Sequence, residues 1–227
     1  MKKYALIILL SYLFFTENLL AHPHTFIDMK NKVLVEDNKL RGFDMSWRLD
    51  EITSSQLIYE LKNAEDKQRA EQDIIGELSL YIMGNQFFSR LYNEKDKRIQ
   101  FDELPISPSI KIEDSRITYD FELPLLNPVE TKGHTFKLFT FEPTYYLSMS
   151  YLDHRDITID PESQCTVSIT ESKVDESLRL YASQLDQAAT PDMSSISQFK
   201  KSDSDLPSDI EYSLGSRFAQ RANIDCN

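Results

Sequence analysis

Histidine and cysteine are scarce in this chain, with four and two copies among 227 residues. Two cysteines as far apart as Cys165 and Cys226 cannot supply the close thiolate spacing of a zinc knuckle. Cationic residues are also in the minority, 25 Lys and Arg against 37 Asp and Glu, for a net charge of −12. Such a chain repels nucleic acid and anionic membrane surfaces. No Gly-x-Ser-x-Gly, His-Glu-x-x-His or glycine-rich phosphate loop is present. Serine hydrolases, zincin proteases and nucleotide-cradling enzymes lose their usual signatures. Carboxylates are so abundant that any chosen pair carries no information, and a non-enzymatic role is expected. No internal repeat and no second hydrophobic span interrupts the chain.

What is present begins at the N-terminus. Lys2 and Lys3 precede an apolar run from Tyr4 to Phe15, and the segment closes on Leu19-Leu20-Ala21. A charged start, a short apolar stretch and a small residue form the pattern of a secretory signal peptide. The run is shorter than the roughly 20 residues a membrane-spanning helix needs. Cleavage after Ala21 is expected, leaving 22–227 as a single periplasmic domain without membrane insertion. Its loss removes Lys2, Lys3 and Glu17 and makes the remainder one charge more negative. In an oxidising compartment two cysteines imply one disulfide, Cys165 to Cys226.

Downstream the pattern is mostly that of strands. From Thr25 to Glu36, Ile27, Met29, Val33 and Val35 fall on one face and Asp28, Lys30 and Lys32 on the other. Leu40 to Leu49 repeats the alternation with Phe43, Met45, Trp47 and Leu49. A three-residue turn over Asp37-Asn38-Lys39 places Lys32 opposite Asp44 and Asp28 opposite Arg48, keeping both apolar sets together. Thr53-Ser54-Ser55 can cap a helix to about Lys62, Asn63 to Gln72 reads as a charged stretch, and Ile74, Ile75, Leu78 and Ile82 have helical spacing. Short strands follow, bounded by prolines. Asp175 to Gln187 reads as a helix, 190–208 as a mobile connector, and Asp209 to Arg221 as a closing helix. The fold class is therefore mainly β with α insertions: sandwich-like antiparallel sheets, a helical segment after the first hairpin and a C-terminal helix.

Half of the histidines stand in Ala21-His22-Pro23-His24. Alternate strand positions put two imidazoles on one side, about 7 Å apart, within reach of one ion. A free amine on His22 would complete a histidine-brace arrangement suited to Cu(II), Ni(II) or Zn(II). Pro23 lacks the amide proton that a square-planar N-terminal chelate must lose, so that mode is excluded. The hairpin register brings Asp50 opposite Phe26 and diagonal to His24, so Asp50 and Glu51 are candidate oxygen ligands, with helix capping as the default alternative. His154, flanked by Asp153 and Asp156, is a further candidate ligand and His134 a weaker one. Each of these two is more often a surface or hydrogen-bonded histidine. Trp47 and the pair Tyr145-Tyr146 read as packing.

Four stretches resemble a known family. Ala21-His22-Pro23-His24-Thr25-Phe26-Ile27-Asp28, Trp47 to Glu51, Pro143-Thr144-Tyr145-Tyr146 and Leu214-Gly215-Ser216-Arg217-Phe218-Ala219 are similar to segments of the periplasmic family catalogued as domain of unknown function 1007. The resemblance implies an accessory component of divalent-metal transport, with some members joined to nickel/cobalt exporters, partnered with an inner-membrane transporter of zinc, nickel or cobalt; the bound ion is expected to be zinc, nickel, cobalt or copper. Two departures stand out. Met45-Ser46-Trp47 replaces a His-x-Trp pattern, and no calcium-type loop follows Asn63, so calcium is not inferred. The rival expectation is a metal-free module that docks a membrane partner. A copper oxidase of the brace kind is a more distant third.

Overall fold

The computed structural model describes residues 23–185, 196 and 206–226. Residues 1–22, with the expected signal-peptide cleavage site and His22, lie outside the described residues, as does most of 190–208. The two alternating segments form β1 (Thr25–Glu36) and β2 (Lys39–Leu49). Asp28 faces Arg48 and Lys32 faces Asp44, as the alternation requires. Ile27, Met29, Val33, Phe43, Met45, Trp47 and Leu49 are buried. The turn is shorter than the expected three residues. Glu36 pairs with Lys39, and Asp37 and Asn38 have φ of 51° and 57°. Two consecutive left-handed residues make a primed turn whose twist matches that of the strands. A bulge at Arg41 absorbs the extra residue and restores the register that sorts the faces.

Among the described residues nine further strands complete two sheets. The first contains β5 (Ile106–Glu113), β6 (Arg116–Glu130) and β8 (Leu147–Ser150) in the order β5-β6-β2-β1-β8, and β9 (Ile157–Ile159) also pairs with β1. The second contains β3 (Ser89–Asn93), β4 (Arg98–Ile99), β7 (His134–Thr140), β10 (Thr166–Thr170) and β11 (Arg221–Cys226), ordered β10-β11-β7-β3-β4. One apolar core is shared by both sheets, with Met29, Val33, Phe43 and Trp47 from the first and Leu91, Phe136, Leu138 and Ile224 from the second. The sheets are not wholly antiparallel as expected. Both β8 and β9 run parallel to β1 along the same edge. They act as one edge strand from which the turn between them, containing residues 154–156, is extruded.

Helix α1 (Glu51–Asn63) starts three residues earlier than a Thr53 cap would place it, because Asp50 caps it. The Asp50 carboxylate accepts from the Thr53 N–H at 2.9 Å, the usual way to satisfy a free first-turn donor. The charged stretch after Asn63 is largely helical. Asp66 caps α2 (Lys67–Gly84), which buries Ile74 and Ile82. Buried Ser54 stitches α1 to the first sheet, its Oγ accepting from Ile117 N–H at 2.9 Å. Near the C-terminus, α3 spans Glu176–Gln184 and α4 only Leu214–Phe218. The expected closing helix is thus short, and the chain then re-enters the second sheet as β11, between β10 and β7. Cys165 and Cys226 are bonded. They continue the β10–β11 register by one pair beyond Thr166 and Asp225.

Candidate functional site

The four family-like stretches lie far apart in sequence and meet at one corner. The N–H groups of His24 and Thr25 both donate to the Tyr146 carbonyl, at 3.0 and 3.4 Å. Because β8 is parallel to β1 and Thr25 is level with Leu147, His24 comes level with Tyr146. Their ring centroids are 4.9 Å apart with planes tilted 37°. The Pro143–Tyr146 turn is itself pinned. The Glu142 carboxylate accepts from Thr144 N–H at 3.0 Å, Thr144 Oγ1 at 2.7 Å and Tyr146 N–H at 2.7 Å. Tyr145, at φ 65°, turns its ring away onto Phe218, with centroids 3.9 Å apart. Gly215 donates its N–H to the Pro143 carbonyl at 3.0 Å. A Cβ at that position would sit 1.8 Å from the Glu142 carbonyl oxygen, so the close approach requires glycine.

The Trp47 to Glu51 stretch supplies the other wall. Asp50 Oδ2 accepts from Phe26 N–H at 3.3 Å while its carboxylate also caps α1 through Thr53 N–H and Thr53 Oγ1. The Asp50–Phe26 juxtaposition follows the hairpin register, and the capping role is the default one for this position. Arg116 closes the floor. It donates to the Leu49 carbonyl at 2.6 Å and pairs with Asp28 at 2.8 Å, both side chains about one-fifth exposed. His24, Phe26, Asp28, Asp50, Glu51, Ile52 and Arg116 line an open groove of about 440 Å³. Phe26 is 52% exposed and Ile52 83%, apolar surface left in water beside carboxylates. Burial first, and then the negative charge of Glu142, raise the Tyr81 phenol above its ordinary value.

Among the candidate ligands His24, Asp50 and Glu51 therefore share one groove, whereas His154 and His134 do not line it. His154 sits in the turn extruded between β8 and β9, where Asp156 comes within 4.0 Å of Lys30. That is six residues along β1 from His24, on the order of 20 Å by strand rise. Its imidazole is 83% exposed and faces Asp153 at 3.3 Å. His134 belongs to the second sheet, where its Nδ1 lies 3.3 Å from Glu94 Oε2. Among the described residues no group of three His, Cys, Asp or Glu side chains could by itself enclose a metal ion. The sequence reading takes Tyr146 as packing, holds Gly215 only as part of a family-like stretch, and does not single out Arg116 or Glu142. The alternation of β1 points to the face on which His24 lies, but the parallel partner that completes it is 122 residues away.

A sequence model of the family described as "Protein of unknown function (DUF1007)" matches residues 7–226. A Haemophilus influenzae protein described as "Uncharacterized protein" is 34% identical over 230 residues, covering 100% of both chains. No solved structure matches. No helix among the described residues is long and apolar enough to cross a membrane, and a disulfide fits an extracytoplasmic, oxidising setting. With residues 7–226 matched by its model, the chain belongs to the DUF1007 family.

Proposed function

We propose that this protein is a periplasmic accessory factor that binds a divalent transition metal at its N-terminal edge and presents it to an inner-membrane transporter. The observation that carries the reading is the placement of His24. Backbone bonds to Tyr146 and a ring contact hold it at the mouth of a groove lined by Asp28, Asp50 and Glu51. His22, two residues upstream, supplies a second imidazole, and the amine of a chain cut after Ala21 a third nitrogen. Zinc, nickel, cobalt and copper all accept such donors. Glu51, at the exposed start of α1, is the better oxygen partner, since Asp50 is occupied by three hydrogen bonds. His154, in the turn between β8 and β9, does not line the groove and is left out of the proposed site.

Isothermal titration of Zn(II) and Ni(II) into wild type and a His22→Ala/His24→Ala double variant tests this. Saturable one-to-one binding by wild type, lost in the variant and weakened on acidification because imidazole must be neutral to ligate, supports the reading. Equal binding by both proteins sinks it. The exposed Phe26, Ile52 and Tyr146 also favour docking of a partner at the same corner. A transporter that binds both proteins equally without metal would favour the metal-free module.

A further inference from the structure

We infer that the chain binds one halide ion, chloride in its natural setting, beside the buried guanidinium of Arg217. The residue belongs to the family-like stretch 214–219, and the site is separate from the His24 corner. Arg217 is 2% exposed, and burying an arginine is costly unless its charge and its donors are both met. They are met only in part. Nε donates to the Glu211 carbonyl at 2.9 Å, while Nη1 is buried without a hydrogen-bond partner among the described residues. Nor does Arg217 join an ion pair among those residues. The Asp175 carboxyl is lowered first by its hydrogen bonds from Ser177 and Leu178 at the start of α3, and only last by the charge of Arg217.

The surroundings describe the missing partner. Thr170, Ser172 and the cations Lys173, Arg217 and Arg221 line a void of about 10 Å³, room for one water-sized particle. It lies where the β10–β11 ladder ends, with Thr170 opposite Arg221. One carboxylate, Glu171, shares the lining, and its Oε1 accepts from Gln220 Nε2 at 2.8 Å. Three cations against one carboxylate reverse the balance of a chain with 37 acidic and 25 basic residues. A water would satisfy the Nη1 donor and leave the charge as it stands. An anion does both, in a place where solvent screens little. Size then selects among anions. Phosphate, sulfate and carboxylates need room for several heavy atoms, whereas a halide is a single atom only slightly larger than water. Bound there, the ion ties the end of β10 to the turn whose Gly215 backs Pro143.

The test is thermal unfolding of the purified protein in chloride, gluconate or sulfate at constant ionic strength, together with crystals soaked in bromide. Chloride should raise the midpoint by about 4 °C for each tenfold increase above its dissociation constant, and gluconate should not. Bromide should give an anomalous peak in contact with the Arg217 guanidinium. Arg217→Met should abolish the chloride response. Lys173→Ala, a change at an exposed lining residue, should weaken chloride at least threefold in a protein that still folds. Equal midpoints in chloride and gluconate, or no bromide beside Arg217, overturn the inference and leave the void to water. A sulfate response equal to that of chloride overturns the halide class. An undiminished chloride response in Arg217→Met, or in Lys173→Ala where the first variant does not fold, puts the ion elsewhere and overturns the site. No transition metal enters any of these readouts, so their outcome is independent of the metal reading.

Discussion

Two histidines lie along the same edge of the first sheet, and their surroundings differ in kind. His24 is held from outside itself: Tyr146 takes its backbone N–H and meets its ring, Glu142 fixes Tyr146, and Gly215 lets the C-terminal segment back the turn. His154 is held from within its own turn. Asp153 and Asp156 form a reciprocal capping box there, and the imidazole stands in solvent. A ligand residue needs its direction fixed by groups that do not move with it. The comparison says which histidine the fold has invested in, and each substitution below changes one side of it.

The largest expected effect is on both sides equally. Replacing Cys165 and Cys226 by alanine opens a loop of 61 residues and should cost about 4 kcal/mol on the chain-entropy account. Denaturant melts of the oxidised and double-alanine proteins measure it. The bond lies at the end of the second sheet, so metal titration at a temperature where the variant remains folded should match wild type. A parallel loss of affinity would mean that the corner depends on the disulfide.

Gly215→Ala strikes the His24 side alone. Its Cβ would meet backbone at 1.8 Å, and backbone cannot rotate out of the way as a side chain can. A destabilisation of about 3 kcal/mol is expected, at the upper end for overpacking. In the folded fraction, the Tyr146 ring should move relative to His24, which ring-proton chemical shifts would report. Unchanged shifts would show that the C-terminal segment does not buttress the turn.

Asp50→Ala should cost about 1 to 2 kcal/mol, the range for loss of an N-cap. It also frees the Phe26 N–H. Hydrogen exchange at Phe26 and Thr53 should accelerate together, because one carboxylate serves both. His24→Ala comes next, at about 1 kcal/mol, the scale of an aromatic pair in partial contact. That exceeds what a purely exposed histidine would cost.

How far the sequence discloses this corner depends on which partner is meant. The β1–β2 hairpin is legible because period-2 alternation and charge pairing specify one register, and the register alone predicts that Asp50 falls beside Phe26. The turn is misjudged by one residue because Asp37 and Asn38 can both adopt the left-handed region, and a bulge hides the difference. The other half of the corner is illegible. Residues 145–151 read as a strand and β8 (Leu147–Ser150) alternates in burial, but nothing local says that it pairs parallel with β1 across 122 residues. Arg116 looks like any strand-end cation until Asp28 and the Leu49 carbonyl are seen around it. β11 is missed because six residues carrying Asn223 and Asp225 do not look like the interior of a sheet. Its apolar positions, Ala222, Ile224 and Cys226, are the buried ones.

The smallest expected effect belongs to the other histidine. His154→Ala should change stability by less than about 0.5 kcal/mol, as surface substitutions away from packed features usually do. It should also leave Zn(II) and Ni(II) affinity unaltered. The turn's order comes from its carboxylates. Asp156 accepts from Leu152 and Asp153 N–H at 2.9 and 2.8 Å. The side-chain bond from Arg155, with its backbone N–H, lowers the Asp153 carboxyl to about 2. A depressed carboxyl contributes stability above its unfolded value of about 3.9 and loses it as the pH falls towards 2. In His154→Ala, which removes the neighbouring imidazole, amide shifts of Arg155 should therefore hold steady from neutral pH to about 4 and move below it. A midpoint near the unfolded carboxyl value in the variant would mean that the imidazole, not Arg155, sets the turn. Any loss of metal affinity in His154→Ala would erase the distinction between the two histidines, because the ion would then be sensing a side chain on the order of 20 Å along β1.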